Sequence, residues 1–205
     1  MATSYPVTLP TTAIRKVVFR QRAAVARHVS PFTGQQQVFA HPFQGWEIEV
    51  ELAARSRADA EASLAALLSL NGGYGTFYLG DPLFTTPRGV ATGTPVIDGP
   101  SQTGNTLNTD GWTISQTGIV KAGDWLQIGT GSTRQLVKVT ADSNSDAGGN
   151  AALEIWPRIR TAFADGTSIV TSSPKGVWRL REPVSWEITP DALIQGITFA
   201  ADEAF

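Results

Sequence analysis

The stretch "GWEIEVEL" (45–52) sets Trp46, Ile48, Val50 and Leu52 at every second position, with Glu47, Glu49 and Glu51 between them. Alternation of period two is the signature of a half-buried β-strand: the apolar set turns to a core and the carboxylates share the opposite face. Carboxylates aligned along one strand face do not converge on a reacting bond, which paired acid/base or glycosidic chemistry requires. The row therefore reads as a solvated or partner-facing surface before it reads as an active site.

Most of the chain follows the same pattern. Residues 14–20, 75–79, 134–140, 151–156, 167–171, 176–180 and 194–200 are rich in β-branched and aromatic residues, and clusters of Gly, Pro, Asn, Asp and Ser separate them. One segment is helical in pattern. In "SRADAEASLAALLSLNGG" (56–73), Ala60, Leu64, Leu67 and Leu68 form an apolar stripe, Ser56 with Asp59 approximates a capping box, and Asn71, Gly72 and Gly73 end the helix. A helix over 57–70 with one apolar stripe must lie on something apolar, and sheets are the large surfaces this sequence offers.

The chain has 205 residues, 41% hydrophobic and 17% charged, and its formal net charge is −2. Such a composition is globular and allows one large β-rich domain or two small ones. Without cysteine there is no disulfide framework, thiolate metal site or cysteine nucleophile, which fits cytoplasmic synthesis. The start, "MATSYPVTLPTT", has no basic and apolar leader pattern, and no run approaches the ~20 apolar residues of a membrane span. Charge is distributed unevenly. Residues 1–45 carry Arg15, Lys16, Arg20, Arg22 and Arg27 and no acid, which leaves 16 − 5 = 11 basic against 18 acidic groups beyond them. No aromatic interleaving or nucleic-acid motif accompanies the basic segment, so it is read as packing beside acidic protein surface rather than as a specific nucleic-acid arm.

Two junctions divide the chain. "TPRG" (86–89) and "SPKG" (173–176) each lie beside an aromatic strand with an acid-Pro turn, "GTFYLGDP" (75–82) and "GVWRLREP" (176–183). The symmetry makes the two strands neighbours in one sheet, with 90–174 inserted between them. An insertion of that length should form a small domain, and its Gly/Thr/Asn-rich start followed by short strands suits a small β-barrel. The expected fold is mainly β. A sandwich or barrel-like domain with one packed helix spans 1–89 and 175–205, and an inserted small β-barrel domain spans 90–174.

Other chemistry is sparse. Asp142, Asn144 and Asp146 have the alternate spacing of a calcium loop, but Ala147 occupies the sharp-turn position and Glu154 comes one residue late, as in an ordinary hairpin turn. His28 and His41 have no carboxylate or cysteine at ligand spacing, and no serine sits in a nucleophile elbow. The glycine-rich stretches lack phosphate-loop spacing. No cofactor, metal or catalytic residue is assigned. Of the six tryptophans, Trp46, Trp178 and Trp186 sit in alternating patterns and read as core, whereas Trp112 and Trp125, near turns, are candidates for stacking on a sugar ring.

"SPFTGQQQVF" (30–39), "GWEIEVEL", residues 56–82, "TGIVKAGDWLQIG" (117–129), "IWPRIR" (155–160) and the closing "ITFAADEAF" together resemble distal tail proteins and related tail-tip components of long-tailed bacteriophages. The resemblance runs through nearly the whole chain. It implies a noncatalytic virion protein of the tail, made in the host cytoplasm, that forms a hexameric ring between the tail tube protein and the tail-tip hub protein. Many members carry their second domain at the C-terminus, whereas here it is inserted. Ring formation gives the charges a role: Glu47, Glu49 and Glu51 of one subunit would meet Arg15, Lys16, Arg20 and Arg22 of the next, a head-to-tail contact. The Pro/Thr-rich start (5–12) would lie on a neighbour as an extended arm, and the glutamine run would bridge subunits. The alternative is a host-carbohydrate-binding module using Trp112 or Trp125; a cell-wall hydrolase is a third reading, with no acid/base pair to name.

Overall fold

The computed structural model describes residues 4–10, 14–190 and 193–205. A short strand β1 (Val7–Thr8) precedes a long hairpin of β2 (Ile14–Val29) and β3 (Gln36–Leu52). Strand β4 (Arg55–Ser56) leads into helix α1 (Arg57–Ser69), and β5 (Phe77–Leu79) follows. Then come β6 (Gly93–Ile97), β7 (Gly104–Trp112), β8 (Trp125–Ile128), β9 (Gln135–Val139), β10 (Ala151–Ile159) and β11 (Ile169–Val170). The last strands are β12 (Gly176–Leu180), β13 (Ser185–Ile188) and β14 (Leu193–Glu203).

The protein is mainly β, with one α-helix among the described residues, and its strands form two sheets. The first has eight strands in the order β1-β5-β12-β14-β3-β2, with β13 and β4 also pairing with β14. Among the described residues, only β1 with β5 is parallel. The second has six strands in the order β11-β8-β9-β10-β7-β6. Its end strands nearly meet: Val96 bridges Ser168, and the Ile97 N–H donates to the Thr167 carbonyl at 2.9 Å, so the sheet is barrel-like. Leu107, Leu126, Ile128, Val137, Leu153 and Ile155 fill it. The Gly/Thr/Asn-rich start of this segment, expected to be a lead-in, is strands β6 and β7. Low β-propensity is overridden there because β7 pairs with β10 and buries Leu107, Thr109 and Trp112.

The strands on either side of the barrel segment are antiparallel neighbours, with Gly176 opposite Leu79 and Trp178 opposite Phe77. Their crossing is tight. A Cβ on Gly80 would stand 2.0 Å from the Pro174 carbonyl oxygen, so only glycine lets the outgoing and returning chains pass. Asp124, fully buried, fixes the segment's start by accepting the N–H groups of Arg88, Gly89 and Lys121 at 2.8–3.0 Å.

The apolar side of "GWEIEVEL" is buried as its alternation requires, and two different elements cover it. Helix α1 lies over one end, where Leu64 and Leu67 join Leu52, Ile197 and Phe199. The barrel covers the other: Trp46 packs on Trp125 and Trp156, at 4.9 and 4.3 Å between ring centroids. The Ser56 hydroxyl caps α1 by accepting the Asp59 N–H, and Asn71 and Gly72 take positive φ angles just after its end. Leu68, expected in the stripe, is 56% exposed; it lies well off the line of Ala60, Leu64 and Leu67, and Ser63 is buried instead. The start of the chain does not reach out as an arm in residues 5–10. There β1 pairs with β5, Leu9 is buried, and the Tyr5 hydroxyl donates to the Ser69 carbonyl at 2.7 Å. Residues 11 and 12 lie outside the described residues.

Candidate assembly surface

The three glutamates do share one face of β3, but β2 brings the basic residues to that same face. The hairpin register sets Arg20 opposite Glu47 and Lys16 opposite Glu51, and β14 adds Asp202 beside Glu47. The result is an ion-pair ladder. Arg15 meets Glu51 at 2.9 Å, Arg20 meets Glu49 at 2.7 Å and Glu47 at 3.5 Å, and Arg22 meets Asp202 at 2.9 Å. Arg181 joins Glu47 (2.9 Å) to Asp202 (2.7 Å). A hydrogen bond from Arg181 holds the Glu47 carboxyl below its ordinary range, and Arg181 itself is held protonated more firmly. Burial works against the charge on Asp202, yet Arg181 and Arg22 outweigh it and lower its pKa as well.

Arg15, Arg20 and Arg22, expected to meet the acidic row of a neighbouring subunit, pair with acidic residues of their own chain. A residue on β2 lies one strand away from its β3 partner, so the opposite charges find each other within the chain. Lys16 forms no ion pair among the described residues, and neither does Arg27.

The surface left without a partner lies farther along the same hairpin. β2 and β3 have 16 and 17 residues, but β14 pairs with β3 only along 47–51. Beyond that the hairpin continues alone as a two-stranded ribbon, from Ala23 paired with Gln44 to Val29 paired with Gln36. At ~3.3 Å per residue it projects roughly 20 Å. Both of its edges are unpaired among the described residues. Val25, Val29, Val38 and Phe39 are each about half exposed, and Phe32 at the tip is 95% exposed. An isolated two-stranded ribbon is marginal in water, and exposed apolar side chains on open edges are a template for pairing with another chain. Sequence reading ended the first strand at residue 20 and took 30–39 as a turn with a glutamine run. The Ala residues of "QRAAVARHV" blur the alternation that would have shown the ribbon.

The sugar-stacking candidates are placed elsewhere than expected. Trp112 and Trp125 are each 3% exposed. The Trp112 indole N–H donates to the Thr109 hydroxyl inside the barrel, and Trp125 lies in the aromatic junction between Phe19, Trp46 and the Lys138 ammonium. Neither ring presents a face to a sugar. Trp186, expected in the core, is 37% exposed, because it sits on the edge strand β13, whose residues are all exposed.

No cation-binding cluster of His, Cys, Asp and Glu forms among the described residues. Asp142 accepts the Ala122 N–H and pairs with Lys121, while Asp146 accepts the N–H groups of Gly148 and Asn150, closing a turn on itself. Asn144 accepts the Gly118 N–H. The three side chains of the calcium-like spacing thus serve three different parts of a loop. Among the described residues, no helix is long and apolar enough to cross a membrane.

A polar clamp that the sequence did not reveal fastens the barrel to the large sheet. Glu203, almost fully buried, accepts the Trp46 N–H at 3.0 Å and pairs through both oxygens with Arg160, one contact at 2.9 Å. Burial pushes the Glu203 carboxyl up, against the pull of Arg160. Arg160 also donates to the Gln44 carbonyl, and the Gln44 side chain accepts from Asn105 and the Arg158 N–H. The Trp46 indole N–H donates to the Leu136 carbonyl at 3.1 Å. Gln44 and Trp46 sit where the ribbon leaves the sheet, so the clamp fixes the base of the ribbon.

No protein-family model matches this chain, and no curated protein is detectably similar to it in sequence.

Proposed function

We propose that this protein is a noncatalytic building block that self-assembles through the β2–β3 ribbon, as a distal ring component of a phage tail between tail tube and hub. The observation that carries the assembly reading is the ribbon itself: an unsupported two-stranded extension with two open edges and half-exposed valines and phenylalanines on a clamped base. A ribbon with two different free edges suits a head-to-tail contact, which closes into a ring when the rotation divides a circle. The tail assignment adds the sequence resemblance to this surface, and six copies is the ring size it implies. The ion-paired glutamates suit a structural face, since each meets an arginine of its own chain at 2.7–2.9 Å.

Native mass spectrometry over a concentration series tests this, comparing the intact chain with Val25→Asp and Val38→Asp. Both positions are half exposed, so the fold should tolerate the charge. The expected result is a six-fold species that grows with concentration for the intact chain and is lost in both variants at unchanged melting temperature. An intact chain that stays monomeric at about millimolar concentration, or assembly unaffected by either charge, overturns the proposal.

A further inference from the structure

If the ribbon is an assembly element, something must receive it, and the charges of the ladder are already matched within the chain. Another surface of the same molecule has the complementary properties. Strand β13 pairs on one side with β14, through Ser185 with Thr198, Glu187 with Gln195 and Ile188 with Ile194, and no described strand meets its other edge. Ile188 is 59% exposed beside half-covered Trp186 and Leu193, which is much apolar surface for one short edge strand. Glu182 and Glu187 form no ion pair among the described residues. The ribbon, for its part, has Arg27 without an ion pair, no acid anywhere along it, and apolar Val25, Val29 and Val38.

We infer that the β2–β3 ribbon of one copy docks on the exposed edge of β13 in a second copy, adding strands to that edge, with Arg27 facing Glu182 and Glu187. This rests on the self-assembly reading above and names the receiving surface. Three features support the second copy as occupant. Each surface supplies an unpaired strand edge, which the other can satisfy by backbone hydrogen bonds. Each supplies half-exposed apolar residues to bury. The charges without an intrachain ion pair are basic on the ribbon (Arg27) and acidic on β13 and the turn before it (Glu187 and Glu182), so the contact is favoured over ribbon on ribbon or β13 on β13. Because the two surfaces differ, the contact can run head to tail, which is the geometry of a ring or filament.

The chain has no cysteine, so introduced thiols report without background. Val38→Cys in one preparation is mixed with Ile188→Cys in another and oxidised, with each preparation alone as control. The expected result is a disulfide-linked dimer from the mixture, several-fold above either control. Adding Arg27→Glu to the first preparation should lower the yield several-fold, and adding Glu182→Lys and Glu187→Lys to the second should restore it. Native mass spectrometry of the intact chain separates the two levels of failure. Assembly with cross-links in the Val38→Cys control but none in the mixture overturns this interface and leaves self-assembly standing. A monomeric intact chain without cross-links overturns self-assembly and this interface with it.

Discussion

Replacing Arg160 by Met removes the counter-charge of Glu203 at the junction of barrel and sheet while keeping most of the side-chain volume. The Glu203 side chain is 2% exposed and that of Arg160 17%, so water cannot take over the lost contact. For charge centres ~4 Å apart at an effective dielectric constant of ~20, the attraction is ~4 kcal/mol. That agrees with the ~3–5 kcal/mol measured when one member of a buried pair is removed. Arg20→Met on the exposed ladder should cost only ~0–1 kcal/mol, because both partners of the Arg20–Glu49 pair are about half exposed. Replacing both Arg160 and Glu203 by Met leaves no buried charge, and each polar loss it shares with a single variant, the acceptor of the Trp46 N–H or the donor to the Gln44 carbonyl, costs ~1–3 kcal/mol. The double variant should therefore be more stable than either single one.

Urea denaturation followed by tryptophan fluorescence reads the junction directly, since Trp46, Trp125 and Trp156 pack there. The pH dependence gives a second check. Burial already raises the Glu203 pKa above 4.5 in the intact chain, and in Arg160→Met it acts without the opposing cation and raises it further. The native state then binds the proton first, and the variant's deficit relative to the intact chain should shrink as pH falls from 7 toward 4.5. Equal costs for Arg160→Met and Arg20→Met, or a double-variant cost equal to the sum of the singles, would refute the clamp.

Acid titration of the ladder has the opposite sign. The Glu47 pKa is depressed by Arg181, so its stabilisation is present above 4.5 and is lost as pH falls through the folded value; the melting temperature of Arg181→Met should fall less steeply below pH 4.5 than that of the intact chain. Trp112→Ala should lower stability by ~3–5 kcal/mol in thermal melts, and any fall in glycan binding should track unfolding and not appear at unchanged fold. Gly80→Ala should cost at least ~1–3 kcal/mol in the same melts, since the added methyl meets the Pro174 carbonyl and not a side chain that can move. Ser56→Ala should lower the melting temperature modestly, by the ~1 kcal/mol of a lost helix cap.

Short-range chemistry in the sequence was decisive wherever one residue's neighbours are its near neighbours in the chain. The alternation of 45–52 determined which side of β3 is buried, Ser56 and Asn71 bounded α1, and the paired Gly-flanked motifs around 80 and 176 pointed to strands that do lie side by side. That the polar start of the inserted segment forms strands was not legible, because β7 is held by a ladder to β10, with partners 151 − 109 = 42 to 159 − 104 = 55 positions away. Only the tertiary structure decided what the charged and aromatic residues do. Register across β2 and β3 turned two oppositely charged segments toward each other within one chain, closure of the barrel drew Trp112 inside, and packing of the barrel on the large sheet buried Trp125. It also left the ribbon and β13 uncovered, because a strand's pattern fixes which side chains share a face, while the elements packed around it fix whether that face or edge meets water.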